Sequence, residues 1–243
     1  MTLDIPPASR QDLLLIVTTE HTTLQGARAA AISDANGRTG FFLATLSAVV
    51  VALAFVAQVS ELGEAFVVFA SVLLPILLFV GLAIFERLLQ LAMENIRCVV
   101  AINRLRHYYL EIAPELMAHL TLSPYDDTTG LLVSLGSIRQ RVRPWDLVIS
   151  NAGLVATIDS IIAGVISGLV IWQLGGDLVA AAIGAAIVGV VALTLLFWYL
   201  VRTLRAAQRA VGVRFPTSAG IEATHDRRPT QTEPPVQNEP SPP

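Results

Sequence analysis

Asp159 is the residue of this chain best placed to do chemistry. It is the only ionisable side chain inside the stretches that are apolar and long enough to cross a bilayer. A charged group is costly in hydrocarbon, so such a residue faces a bundle interior, a partner or water. Repeated around a small oligomer, Asp159 would form a ring that attracts cations, with Thr157 and Ser160 as polar lining. A plainer reading stands beside it: the span begins nearer Ile158, and Asp159 lies among headgroups or caps the helix. The sequence leaves both open.

His107, Glu111, Glu115 and His119 follow one another at i+4 spacing, which could set four metal ligands on one helical face. Pro114 falls among them and should end the helix, turning the second pair away. No metal site and no cofactor are expected. His21 beside Glu20 reads as a structural pair. The chain has no Gly-rich phosphate loop, no H-E-x-x-H and no G-x-S-x-G, so it is not expected to be an enzyme.

The elements that must position these residues are written in hydropathy. Thr39–Ser60 and Ala65–Phe85 each run for about 21 residues without a charge, the length that spans a ~30 Å hydrocarbon core. Leu147–Leu174 and Leu178–Leu200 form a second such pair. The fold class is therefore an all-α membrane protein, with four transmembrane helices as two hairpins and amphipathic cytosolic helices. Five segments follow: an N-terminal helix within 1–38, a hairpin at 39–85, a helical segment at 86–146, a second hairpin at 147–201, and a tail at 202–243.

Ser9 and Asp12 give a capping pattern ahead of an amphipathic helix over 11–34, which Gly37 should loosen before the membrane. That helix lacks a basic face, which favours packing on the 86–146 segment over lying on lipid. Ala44, Ala48 and Ala52 form a small-residue ladder on the first span. Pro75 is expected to kink the second and could serve as a hinge. Beyond Phe85 apolar and charged residues alternate at helical spacing, so the second span should continue out of the membrane. Ser160, Gly164 and Gly168 line one face of the third span, and Ala181, Ala185 and Gly189 one face of the fourth. Facing ladders of this kind serve close packing of the two spans or self-association. Arg139, Arg141 and Arg143 lead into Trp145 at an interface. Seven of the chain's 13 prolines follow Arg214, in a tail too poor in apolar residues to fold alone.

Hydrophobic residues make up 54% of the 243 and charged ones 14%, a balance that fits a polytopic membrane protein. All 16 basic residues are arginine. The formal net charge of −3 decides nothing about nucleic acid, and no nucleic-acid partner is expected. The single cysteine, Cys98, excludes an intramolecular disulfide. No cleaved leader is expected, because the first 38 residues carry acids and lack an apolar core. The short loops QVSELGE and QLGGD hold acids and no arginine, whereas arginines crowd the other side. The positive-inside rule then places both termini and 86–146 in the cytosol of a multi-pass protein of the bacterial plasma (inner) membrane.

The segment EHTTLQGARAAAISDANGRTGFFLATLSAVVVALAF, with NRLRHYYLEIAPEL after the second span, resembles uncharacterised integral membrane proteins of high-GC bacteria. The resemblance covers half the chain and implies no activity. In layout, a membrane hairpin extended by cytosolic helices is similar to SLATT-type membrane effectors of bacterial nucleotide-signalling and phage-defence systems. That likeness implies pore formation, although this chain has four spans. Two functional expectations follow. One is a self-associating membrane scaffold or sensor whose cytosolic helices meet a protein partner. The other is an oligomeric ion channel or pore-forming effector with Asp159 near the permeation path.

Overall fold

A computed structural model describes residues 10–136 and 144–217. Ser9, Arg139, Arg141, Arg143 and the tail from 218 onward lie outside the described residues. Those described form helices and connecting turns, with no strand among them. In order they are α1 (Arg10–Val59), α2 (Glu64–Ile112), a 3₁₀ helix (Pro114–His119), α3 (Thr128–Ser134), α4 (Pro144–Val148), α5 (Asn151–Gln173) and α6 (Leu178–Val211). Helices α1, α2, α5 and α6 are each long and apolar enough to cross a membrane.

α1 and α2 are single helices about 75 Å long at 1.5 Å per residue. Gly37 does not loosen α1. A lone helical glycine costs only about 1 kcal/mol relative to alanine, which the many backbone bonds on either side easily absorb. α2 likewise runs unbroken through Pro75, which sits on its exposed side. It stops at Ile112, because Pro114 forces Ala113 into an extended conformation (φ −144°, ψ 83°). The 11–34 part of α1 packs on the outer half of α2. There Arg28 donates to Asn95 (3.1 Å), and the His21 and Tyr109 rings lie 5.9 Å apart.

α2 is the shared element, packing on α1, on α5 and on α6. Phe42, Leu77, Phe85, Leu89, Val155 and Leu200 form the centre of the core. α1 is peripheral. Its buried residues are few, and Ala44 and Ala48 face outward while Phe42 supplies the contact. The alanine ladder of the first span is therefore not a packing face within the chain.

α5 and α6 approach more closely than any other pair. Gly164 has no room for a side chain: a Cβ there would lie 2.6 Å from the Ala185 carbonyl oxygen. One at Gly168 would meet the Ala181 oxygen and the Ala185 methyl, each at 3.1 Å. Gly189 faces the Ser160 carbonyl in the same seam. Capping side chains fix where the helices begin, Ser150 accepting from Gly153 N–H (3.1 Å) and Asp177 from Ala180 N–H (2.7 Å).

At the arginine-rich end of the spans, polar ties join all four long helices. Asp34 of α1 meets Arg87 of α2 (3.5 Å), Asn151 of α5 donates to Asn36 of α1 (2.8 Å), and Tyr199 of α6 donates to Glu86 of α2 (3.1 Å).

Gly164→Leu should push α5 and α6 apart and cost about 1–3 kcal/mol. Gly26→Ala, where a Cβ meets open space, should be neutral or mildly stabilising. Thermal unfolding in detergent compares them; a Gly164→Leu protein melting like the parent would refute the close seam.

Candidate functional site

Two buried polar groupings stand out, one within the apolar spans and one beyond their arginine-rich end. The first is Asp159, two turns into α5 and fully buried. Its carboxylate lies against α2 at Gly81, where a Cβ would come within 2.6 Å of the carboxyl carbon. Gly81 thus supplies the space that Asp159 fills. Neither carboxylate oxygen has a hydrogen-bond partner among the described residues.

Thr157 and Ser160 do not join Asp159. They line a shallow groove of about 350 Å³ on the α5–α6 side, with Gly164, Ala185 and Gly189, whereas Asp159 points to α2. Their hydroxyls are also already engaged, Thr157 donating to the Gly153 carbonyl (2.8 Å) and Ser160 to that of Ala156 (2.7 Å). The three candidates therefore do not line one path in a single copy of the chain. Gly164, Gly168, Ala181, Ala185 and Gly189 are brought together, all in the α5–α6 seam. Pro75 stands apart from them on α2.

The i+4 histidine–glutamate set is divided by the break at Ala113. His107 and Glu111 stay on α2, and Glu115 and His119 are exposed on the 3₁₀ helix. His107 instead stacks on Phe215, centroids 4.0 Å apart, with Tyr125 beside it.

That stack belongs to the second grouping, which the sequence reading missed. The Asp126 side chain is fully buried. It accepts from Arg104 Nε (2.8 Å) and from the backbone N–H groups of Arg214 (3.0 Å) and Phe215 (2.7 Å). Arg104 also donates to the carbonyls of Val211 (2.9 Å) and Gly212 (2.8 Å). A cation at that position satisfies the open end of α6 and opposes its dipole. Asp127 caps α3 through Gly130 N–H and holds Thr217. Asn103, fully buried on α2, donates to the Tyr125 carbonyl (2.8 Å) and accepts from Ser134 (2.9 Å) and Arg106 (3.0 Å). The signal for Asn103 was available: it continues the apolar stripe of Ile96, Val99 and Val100 at helical spacing. Together these groups clamp residues 212–217 and the 123–134 turn onto α2.

Burial pushes the Asp126 carboxyl upward, but the Arg104 hydrogen bond, the Phe215 and Arg214 N–H groups and the Arg104 charge outweigh it and hold its pKa below the ordinary value. A lowered carboxylate contributes stability above its unfolded-state pKa of about 3.9, and that contribution is lost as pH falls through the folded value. The melting temperature in detergent should therefore fall as pH drops below about 4, and Asp126→Asn should flatten that limb. Parallel curves for the two proteins would show that Asp126 is not the responsible group. Arg104→Ala should cost about 2–4 kcal/mol by leaving a buried carboxylate short of its cation, and should speed hydrogen exchange at Arg214 and Phe215.

Compared with protein families, curated proteins and solved structures, the chain matches none of them.

Proposed function

We propose that the chain is a non-enzymatic scaffold or sensor of the bacterial plasma membrane, self-associating, with both termini and the helical extensions in the cytosol. One observation carries this reading: α1 and α2 leave the apolar layer without a break and extend about 40 Å beyond it. Arg104 and Asp126 then tie that extension to the end of α6. A displacement in the membrane is thus delivered to a cytosolic surface through continuous helix. The polar clusters of the extension are turned inward on backbone groups, as suits a stiff support rather than a reaction centre.

Arginine distribution supports the orientation. Self-association is assigned to α1, where Gly40, Ala44 and Ala48 form an outward small-residue face. The seam of Gly164 and Gly189 is already occupied within the chain.

Asp159 favours a second reading, an oligomeric channel or pore-forming effector of the SLATT kind. A carboxylate inside a span with no hydrogen-bond partner among the described residues is the feature such a protein would need.

The native mass of the detergent-solubilised protein, with lipid and detergent subtracted, tests both. A dimer or larger assembly that Ala44→Ile or Ala48→Leu dissociates is the expected result; a monomer would end the self-association reading. A ring of four or more, with cation flux lost in Asp159→Asn, would transfer the assignment to the channel.

A further inference from the structure

A groove of about 480 Å³ runs between α4 and α6 where the spans end at the arginine-rich side. Leu147 and Val148 line it from α4, and Phe197, Val201 and Leu204 give it an apolar lining, its floor, from α6. Gln208 and Arg205 stand at its outer end. Its depth is set by two exposed indoles, Trp145 on α4 and Trp198 on α6, the residue type that seeks the headgroup boundary. On α6 the side chains lean toward the helix N-terminus, which here is toward the bilayer. Arg205, which lines the groove, can thus extend back along its apolar lining.

The charges single this groove out. Arg202 already lies over the Trp198 ring, 5.1 Å from its centroid. At the comparable cleft between α1 and α2, Arg38 and Arg87 share Asp34, at 2.9 and 3.5 Å. Arg205 has no hydrogen bond or ion pair among the described residues, and no acid lines its groove. An unpaired guanidinium and an amide above an apolar trough match a phosphate above an acyl chain.

We propose that the α4–α6 groove binds an anionic phospholipid, its phosphate held by Arg205 and Gln208 and its acyl chain laid along Val201 and Phe197. A soluble phosphate would leave that floor unused. The placement of the groove at the headgroup boundary rests on the membrane reading above, but binding in micelles depends on neither sidedness nor self-association.

The test is native mass spectrometry of the full chain in mild non-ionic detergent, titrated with palmitoyl-oleoyl phosphatidylglycerol or with the phosphatidylcholine of the same chains. The parent protein should retain phosphatidylglycerol preferentially. Arg205→Gln should weaken that retention about fivefold, the equivalent of ~1 kcal/mol, and leave phosphatidylcholine unchanged. Arg209→Gln, outside the groove, should alter neither. Val201→Trp, which fills the floor, should lower retention of both lipids without lowering the melting temperature. Equal retention of the two lipids by the parent, or equal losses in the Arg205 and Arg209 variants, would overturn the site. Either result leaves the scaffold reading to its own mass measurement.

Discussion

Inside hydrocarbon an apolar side chain gains little by exchanging lipid for protein, so helices there must be held by close approach and by polar ties. This constraint organises the whole molecule. Where two helices come closest, glycine is present on at least one of them: Gly164 and Gly168 against α6, and Gly81 against Asp159. Where the spans end and water begins, the holding groups change character. Asp34, Arg87, Asn36, Asn151, Glu86 and Tyr199 then link all four helices. Beyond that belt, conventional apolar burial resumes around Val99, Val100 and Leu131.

α2 connects these regimes, and its length has a mechanical consequence. Gly81, against the buried carboxylate, and Arg104, in the outer clamp, belong to one helix and lie about 35 Å apart along it. A shift of α5 against Gly81 has no hinge in α2 at which to dissipate on its way to the clamp, because Pro75 lies on the other side of Gly81. At the far end, Arg104 engages the terminal carbonyls of α6, whose own span packs on α5. The arrangement is a closed loop of α2, α5 and α6, joined at both ends by backbone-level contacts.

Much of this was legible in the sequence because it is local. Uncharged runs of about 21 residues fix the spans, and the absence of Gly or Pro from 86 to 112 carries α2 out of the layer. The Ser160–Gly168 and Ala181–Gly189 ladders name the residues of one seam. What escaped depends on pairs distant in sequence. Nothing near Gly81 says that its missing side chain makes room for Asp159. Asp127 caps α3 locally, but the binding of Arg214, Phe215 and Thr217 by Asp126 and Asp127 spans about ninety residues. One local expectation fails: Gly37 does not loosen α1, because a single glycine has too little effect to break a long helix. The ladder of α1 faces outward at Ala44 and Ala48, a difference from the inward seam of α5 and α6.

That last difference bears on how copies of the chain would meet. In water, the exposed Val51, Phe55 and Phe79 would force association of any kind. In lipid they are merely solvated, and specificity must come from shape. The glycines of α5 and α6 already serve their own seam, and only a shallow groove is left beside them. On α1, a sparsely buried span, Gly40, Ala44 and Ala48 are exposed small residues, the kind of face that another helix can approach closely. A helix that adds few buried residues to the core thus keeps its small-residue face unused, and that same helix continues beyond the apolar layer alongside α2.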